Sequence, residues 1–368
     1  MRTHINKVIQ LFPFLLLIFF SACKNQTSEN GNQSFEWAIE SPENSGIDEK
    51  ILNSLVGKIK DSTLYGVDAI ILVKNKKIVF EKYFNGFEAD SLHNVTSVGK
   101  SITSALVGIS IEKGYIKNKN EQIIQHFRED YKIENLSLEK ENIQIHHLLT
   151  MSAGWDCDDW DENSVGNTMH FPNVPDDFAF TLNLPMIKPN GEDFSYCSGG
   201  ANLLGEIIRR KSQLGLKDFA NKYLFNKIGV TENEWFIAPK TTPYEFAGGG
   251  NLLKPRDLAR FGLLYLNDGI WEGEQIIPKD WISESTSRQI ETSEDGDYGY
   301  FWWVKEYNYN NKILKGFEAS GNGGNKLVVI PEHNIVIILT GSAYGSEYVE
   351  GEQAKKIIED FLLPSLIE

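Results

Sequence analysis

A serine and a lysine three residues apart are the feature of this sequence that most directly suggests chemistry. Ser97 and Lys100 begin an apolar run, residues 97–114, that is typical of a helix ending at Gly114. Residues three apart on a helix share a face, so these two side chains can meet. A buried, neutral lysine could take the hydroxyl proton while the positive helix N-terminus favours the developing anion. The spacing predicts a serine nucleophile for acyl transfer, with a capping serine followed by a solvated lysine as the alternative.

Further segments follow Ser97 in a fixed order, and a family resemblance depends on them. They are 96–101 (TSVGKS), 145–154 (IHHLLTMSAG), 189–198 (PNGEDFSYCS), 247–252 (AGGGNL), 257–262 (DLARFG), 298–303 (YGYFWW) and 320–325 (SGNGGN). Over roughly residues 45–365 the chain resembles the serine β-lactamase and D-alanyl-D-alanine carboxypeptidase superfamily. The resemblance is to the class C-like branch, which also contains esterases and 6-aminohexanoate-dimer hydrolases.

The resemblance implies an α+β fold of the β-lactamase/transpeptidase-like type. In that fold an antiparallel sheet flanked by the terminal helices lies beside a mainly helical lobe, with the active site at the seam. Hydrophobic periodicity predicts compatible elements: a helix over 47–60, a hairpin of 67–73 and 77–83, strands over 298–306, 312–317, 326–330 and 335–340, and a closing helix over 350–363. We predict an α/β lobe over about 41–95 and 280–366 and a helical lobe over about 96–279.

The resemblance also implies two residues that lie near Ser97. Tyr196 matches the tyrosine of the family's Y-x-N segment, which faces the nucleophile and relays protons to the leaving group. Lys100 would lower the pKa of this tyrosine, so that the two side chains share the role of base. Ser198 stands where the family usually has Asn, and its hydroxyl can still donate to a substrate carbonyl, although with shorter reach.

A glycine-rich segment, residues 321–325, aligns with the family's K-T-G or H-x-G segment. This alignment places Asn322 at the Lys or His position. It also places the amide that follows Gly324, that of Asn325, beside the amide of Ser97 as an oxyanion hole. We expect these three residues to bind substrate, with a simple turn as the alternative. Asn offers only neutral hydrogen bonds, which favours neutral esters or amides over β-lactams.

Two cysteines, Cys157 and Cys197, border these segments. A disulfide between them and a pair of reduced, packed thiols are equally compatible with the sequence, because it does not give their Cα separation. An acidic loop surrounds the first cysteine and contains Asp156, Asp158, Asp159, Asp161 and Glu162. We expect this loop to be solvated, with attraction of a cationic substrate or calcium binding as alternatives.

The N-terminal segment predicts the location of the protein. Arg2 and Lys7 precede an apolar run over 11–20, which is too short to span a bilayer but typical of a signal peptide. Residues 20–23 (FSAC) resemble a bacterial lipobox, in which the cysteine, here Cys23, is diacylated. We predict a lipoprotein signal peptide over 1–22, a tether over 23–40 and a catalytic domain over 41–366, lipid-anchored in the cell envelope outside the cytoplasm. The alternative is an ordinary secretory signal with an unmodified cysteine.

Composition restricts the remaining classes of function. The 368 residues include 36 basic and 51 acidic side chains, a net charge of −15, which argues against a nucleic-acid partner. No H-E-x-x-H or paired C-x-x-C spacing occurs, so we expect neither a metal nor a cofactor. The sequence predicts an envelope-anchored serine hydrolase that cleaves an ester or amide, of the D-amino-acid peptide or 6-aminohexanoate kind, through an acyl-enzyme. The alternatives are a β-lactamase or penicillin-binding carboxypeptidase, and a receptor that acylates without turnover.

Overall fold

A seven-stranded antiparallel sheet forms the centre of the protein in the computed structural model, which describes residues 35–237 and 243–366. The strands are β1 (Val67–Lys74), β2 (Lys77–Tyr83), β3 (His93–Asn94), β4 (Glu234–Trp235), β5 (Asn251–Leu253), β6 (Ile270–Trp271), β7 (Glu274–Gln275), β8 (Asp297–Tyr298), β9 (Trp303–Tyr309), β10 (Lys312–Gly321), β11 (Asn325–Ile330) and β12 (Ile335–Gly341). The main sheet has the order β2-β1-β12-β11-β10-β9-β8. The strands at the two ends of the chain therefore meet in one sheet, and the short strands β3, β5 and β4 form a second one.

Helices and the loops between them make up most of the chain between β2 and β8. The α-helices of the described residues are α1 (Glu49–Lys60), α2 (Gly99–Glu112), α3 (Leu138–Glu141), α4 (Ile145–Leu149), α5 (Asp177–Leu182), α6 (Ser198–Ser212), α7 (Leu216–Ala220), α8 (Pro255–Leu266), α9 (Lys279–Ser285) and α10 (Ala354–Ile357). Wider π-type turns over Val349–Gln353 and Ile358–Leu362 extend α10 at both ends. These turns and α10 together form the closing helix.

Most of the elements predicted from periodicity are confirmed. The helix predicted over 47–60 is α1, in which the Asp48 side chain accepts a hydrogen bond from the Lys50 amide and caps the first turn. The predicted hairpin is β1 and β2, and its strands pair in an antiparallel register. The helix predicted from Ser97 is α2, which is preceded by a 3₁₀ turn over Thr96–Val98.

The prediction of one continuous strand over 298–306 is wrong for residues 299–302. The chain leaves the sheet after β8 and returns at β9, and Tyr298 pairs with Trp303 across the turn between them. Phe301 adopts a φ of 61° in this turn, and its amide donates to the carbonyl of Leu149 at the end of α4. An aromatic run of this kind fits a strand by β-propensity, but the contacts with the helical part of the molecule override that preference.

Two hydrophobic cores lie on opposite faces of the main sheet. Residues alternate between the faces of a strand, so Phe317 of β10 belongs to the core shared with α2 and α8, whereas Leu314 belongs to the core shared with α1 and the closing helix. The predicted α+β class is confirmed: an antiparallel sheet is flanked by the terminal helices and lies beside a mainly helical lobe. The nucleophile segment lies where that lobe meets β10.

The predicted signal peptide, Cys23 and most of the tether lie outside the described residues, so lipidation stays a prediction. Within residues 35–237 and 243–366, no helix combines the length and apolar character needed to cross a bilayer.

Candidate active site

Ser97 lies in the 3₁₀ turn immediately before α2, held by an unusual backbone conformation. The preceding residue, Thr96, has a φ of 49°, a left-handed value that is uncommon for a residue other than glycine. Its amide donates to the Asn94 side chain at 2.9 Å and its hydroxyl donates to the Asn322 carbonyl at 3.0 Å. Backbone strain of this kind is kept where surrounding contacts fix the conformation, often at functional sites.

Lys100 is buried one helical turn from Ser97, as the spacing predicts. Its Nζ atom donates to Ser97 Oγ at 3.0 Å and to the Gly248 carbonyl at 2.6 Å, and only 1% of the residue is exposed. Burial lowers the pKa of Lys100 to about 8, while the negative charge of Asp159 opposes this shift. Roughly a tenth of the lysine is therefore neutral at pH 7, far more than for an ordinary lysine, and the neutral form is the one that can accept the serine proton.

Tyr196 completes the group around the nucleophile. Its side chain forms a hydrogen bond with Ser97, and its ring centroid lies 4.8 Å from Lys100 Nζ. Burial raises the pKa of Tyr196 well above its usual value; the bond with Ser97 works in the opposite direction, and the charges of Asp159 and Glu350 add to the rise. This direction is the opposite of the expectation that Lys100 would lower it. Tyr196 is therefore a neutral phenol, able to donate a proton.

The segment that carries Tyr196 is fastened to the acidic loop by several contacts. Cys157 and Cys197 form a disulfide with a Cα separation of 5.3 Å, one of the two arrangements that the sequence left open. Ser195 Oγ donates to the Cys157 carbonyl at 2.9 Å. Trp160 stacks on Tyr196 with ring centroids 4.8 Å apart and planes 12° apart. The loop and the tyrosine segment therefore form one covalently linked unit.

Ser198 is the one predicted substrate-binding residue whose side chain lies beside the lysine site. It is the first residue of α6 and is buried. A Cβ atom built on Gly248, whose carbonyl accepts from Lys100, would lie 3.2 Å from the Ser198 Cβ atom. The backbone amide of Ser198 donates to an Asp159 carboxylate oxygen at 2.9 Å.

The glycine-rich segment approaches the nucleophile at a different glycine from the one predicted. A Cβ atom on Gly321 would lie 2.3 Å from Thr96 Oγ1 and 3.2 Å from the Ser97 amide nitrogen, so only glycine fits there. A Cβ atom on Gly324 would instead contact Val349 of the closing helix, at 2.8 Å. The assignment of the amide after Gly324, that of Asn325, to the oxyanion hole is therefore corrected, because Gly321 and not Gly324 is the glycine of this segment that lies against the nucleophile turn.

Asn322 and Asn325 also differ from their predicted roles. The Asn322 side chain accepts a hydrogen bond from the Gly345 amide at 2.7 Å, and its carbonyl accepts from Thr96. The fully buried Asn325 side chain donates to the carbonyls of Asn322 and Gly341 and accepts from the Gly341 amide. Both asparagine side chains therefore stabilise the turn between β10 and β11, and their hydrogen bonds are made there and not to Ser97.

A cavity of about 550 Å³ adjoins this group of residues. Trp160 and Trp303 form an aromatic wall, and Ser320 of β10 and Glu350 of the closing helix line it as well. Its charged lining residues are Glu294, Asp295, Lys305, Glu306, Glu318, Lys326, Glu347, Glu350, Glu352 and Lys355. Seven carboxylates against three lysines make the cavity acidic.

Sequence reasoning missed the roles of four residues at this site: Asp159, Trp160, Gly248 and Gly321. Asp159 was expected to lie in a solvated loop, and neither Trp160 nor Gly248 was assigned a role. The disulfide partner Cys157 beside them was the available signal that this loop packs against the tyrosine segment. Across the described residues, no group of three or more His, Cys, Asp or Glu side chains is placed to hold a metal ion.

Comparison with known proteins identifies the family to which this arrangement belongs. The model of the family described as Beta-lactamase matches residues 55–357. The chain belongs to the beta-lactamase family. It is accordingly a serine hydrolase of that family, with Ser97 and Lys100 inside the matched region.

The known proteins that this chain is similar to differ in what they are named for. The chain is 26% identical over 311 residues to a 6-aminohexanoate-dimer hydrolase of Paenarthrobacter ureafaciens, covering 75% of this chain and 72% of that protein. The structure of EstCE1, a hydrolase with promiscuous acyltransferase activity, has a TM-score of 0.66 at 10% identity and covers 85% of this chain and 99% of that one. The octameric penicillin-binding protein homologue from Pyrococcus abyssi has a TM-score of 0.65 at 21% identity, covering 86% and 78%. The two structural matches show a shared fold.

Proposed function

We propose that the protein hydrolyses an ester or an amide through a covalent acyl-enzyme on Ser97. The observation that supports this most directly is the 3.0 Å contact between Ser97 Oγ and the buried Lys100 amine. A lysine whose pKa is lowered to about 8 can act as a base near neutral pH, and no other amine of the described residues touches this hydroxyl.

The chemistry proceeds in two halves. In the first, Ser97 Oγ attacks the substrate carbonyl carbon while its proton moves to the neutral Lys100 amine. The tetrahedral intermediate then expels the alcohol or amine, which takes a proton from Tyr196 or from the lysine. In the second half, water attacks the acyl carbon, gives up a proton to the same base and releases the acid and the free serine. Lys100 and Tyr196 act as a coupled pair, so each proton belongs to the pair.

The oxyanion of the intermediate needs hydrogen-bond donors that are fixed in place before the reaction. We assign this role to the backbone amide of Ser97 and to the amide that follows Gly321, because the bare Cα of Gly321 lets β10 approach the nucleophile turn closely. The positive end of α2, which begins at Gly99, adds to this stabilisation.

Neutral or cationic esters and amides are the substrate class that we favour. The relative from Paenarthrobacter is named for a 6-aminohexanoate dimer, and EstCE1 is named for hydrolase and acyltransferase activity. The acidic cavity beside Tyr196 disfavours a substrate whose net charge is negative, such as nitrocefin. We therefore rank β-lactamase and carboxypeptidase activity below ester and amide hydrolysis.

Comparing turnover of p-nitrophenyl esters, D-amino-acid amides and nitrocefin tests this ranking. We expect the neutral esters or the amides to be turned over faster than nitrocefin. Faster turnover of nitrocefin would reverse the ranking. Labelling of Ser97 without any turnover would instead support the alternative of an envelope receptor that acylates once.

We also propose that the enzyme works in the cell envelope, attached through a lipid on Cys23. Support comes from the N-terminal sequence, and from the Cys157–Cys197 disulfide, a bond that persists in oxidising compartments. Metabolic labelling with a radioactive fatty acid, with Cys23→Ala as the control, tests the anchor. Absence of label on the unaltered chain would reject it.

A further inference from the structure

Asp159 is half-buried and borders the catalytic group, although its acidic loop was expected to be solvated. One carboxylate oxygen accepts from the Ser198 amide at 2.9 Å, and the other accepts from the Thr168 amide at 2.9 Å. The Asp159 amide in turn donates to the Tyr196 carbonyl at 2.8 Å. The bonds with Ser198 and Tyr196 connect Asp159 to the backbone on both sides of Cys197, and the bond with Thr168 holds it within its own loop.

The carboxylates of the same loop differ in their surroundings. Asp161 is exposed, and its carboxylate accepts only from the amide and side chain of Asn163, two positions away. Asp158 caps the Trp160 amide at 2.9 Å. Asp159 alone among the acidic side chains of this loop reaches the segment that carries Tyr196.

The Asp159 carboxylate also lies next to the lysine site, because Ser198, whose amide it binds, packs against Gly248, whose carbonyl accepts from Lys100. Around the lysine, the 3₁₀ turn before α2 contributes the Ser97 hydroxyl, the segment before α6 contributes the Tyr196 phenol, and the loop before β5 contributes the Gly248 carbonyl. None of these groups is charged. Glu350 of the closing helix acts on Tyr196, whereas the pKa of Lys100 is raised by Asp159 against the larger effect of burial.

We propose that Asp159 is a positioning residue of the reaction: it holds the Tyr196 segment by hydrogen bonds and supplies the negative charge that faces Lys100. Its charge favours the ammonium form of the lysine, which stabilises the state formed when Ser97 loses its proton. The same charge opposes ionisation of Tyr196 and so keeps that side chain a proton donor. This inference rests on the proposed acyl-enzyme function.

The rate of labelling by a fluorophosphonate, measured against pH on the purified full chain, tests the inference. Labelling requires neutral Lys100, so its rate rises with pH through the pKa of that lysine. Asp159→Asn removes the charge, and we expect the rising part of the pH profile, its acidic limb, to move to lower pH by about half a unit or more. At a given pH on this limb, the labelling rate divided by the plateau rate should then be roughly three times that of the unaltered protein. Asp161→Asn removes the same charge from the same loop and should leave the limb in place.

The outcomes separate the inference from the proposed function. If the unaltered chain is not labelled, the proposed function fails. If it is labelled and folded Asp159→Asn keeps the original limb, the inference alone is overturned. Should Asp159→Asn not fold, Asp159→Glu serves instead: it keeps the charge but displaces the hydrogen bonds, so the plateau should fall while the limb stays. An unchanged plateau in Asp159→Glu would also overturn the positioning role.

Discussion

Trp160 stacks on Tyr196 with ring centroids 4.8 Å apart, so the wall of the cavity and the proton donor of the site form one aromatic pair. More than half of the Trp160 surface is exposed, and the indole lines the cavity beside Trp303, with which it also stacks. Substrate that enters the cavity will therefore contact Trp160 close to the reacting serine.

Replacing this indole should weaken substrate use with little effect on folding. For Trp160→Ala we expect kcat/KM for a p-nitrophenyl ester to fall about two- to tenfold, since an aromatic pair contributes ~0.5–1.5 kcal/mol. Trp160→Phe keeps a stacking ring and should retain most of the activity. Equal losses in both variants would show that stacking is not what the indole provides.

The Cys157–Cys197 disulfide should contribute strongly to stability. The two cysteines are separated by 40 residues, and a loop of about that length predicts a contribution of up to about 4 kcal/mol from the restricted unfolded chain. Urea unfolding of the double variant Cys157→Ala, Cys197→Ala, compared with the oxidised protein, measures it. A reducing agent should lower the stability of the unaltered protein and leave that of the double variant unchanged. If the reducing agent does not change the stability of the unaltered protein, the disulfide is contradicted.

Lys100 should control the pH dependence of acylation. Because only its neutral form accepts the Ser97 proton, kcat/KM should rise about tenfold per pH unit below pH 8 and level off above it, following the pKa of about 8. Lys100→Met should lower kcat/KM by about a thousandfold or more. Lys140→Met is the matched control, because Lys140 is also fully buried but donates to the Glu134 carbonyl away from the site. If kcat/KM of Lys100→Met still rises with pH below pH 8, a group other than Lys100 is responsible for the pH dependence.

The same lysine gives a stability prediction of defined sign. Its pKa is lower in the folded chain than in the unfolded chain, so between about pH 8 and the unfolded value the unfolded state binds more protons. The Lys100 contribution to the free energy of unfolding should therefore rise with pH across this window. Urea unfolding of the unaltered protein and Lys100→Met at several pH values measures the difference, and a difference that falls with pH would contradict the assigned direction.

Gly321 should tolerate no side chain. The added methyl group of Gly321→Ala would meet Thr96 Oγ1 and the Val95 carbonyl at about 2.3–2.4 Å, so the nucleophile turn must move. We expect a loss of about a hundredfold in kcat, comparable with losing an oxyanion donor. Gly57→Ala in α1 is the control and should leave kcat unchanged, because a Cβ atom there meets nothing within 4 Å. Full activity in Gly321→Ala would contradict the assignment of the amide after Gly321 to the oxyanion hole.

The sequence was sufficient to predict elements whose pattern is local. The stripe of α1, the alternation of β1 and β2 and the Ser97–Lys100 spacing each depend on neighbours within one element. The sequence did not show which glycine of residues 321–325 approaches the nucleophile turn. Several glycines can form a turn, and only the contact of Gly321 with Thr96 distinguishes them. The inward direction of Asp159 was missed for a similar reason: charge alone favours solvent, and its backbone partners are remote in sequence.

The most direct test of the whole account is the intact mass of the purified protein before and after treatment with a fluorophosphonate, with Ser97→Ala as the control. We predict one adduct per chain on the unaltered protein and none on the Ser97→Ala variant. No adduct on folded protein, or an equal adduct on the variant, would contradict the assignment of Ser97 as the activated nucleophile.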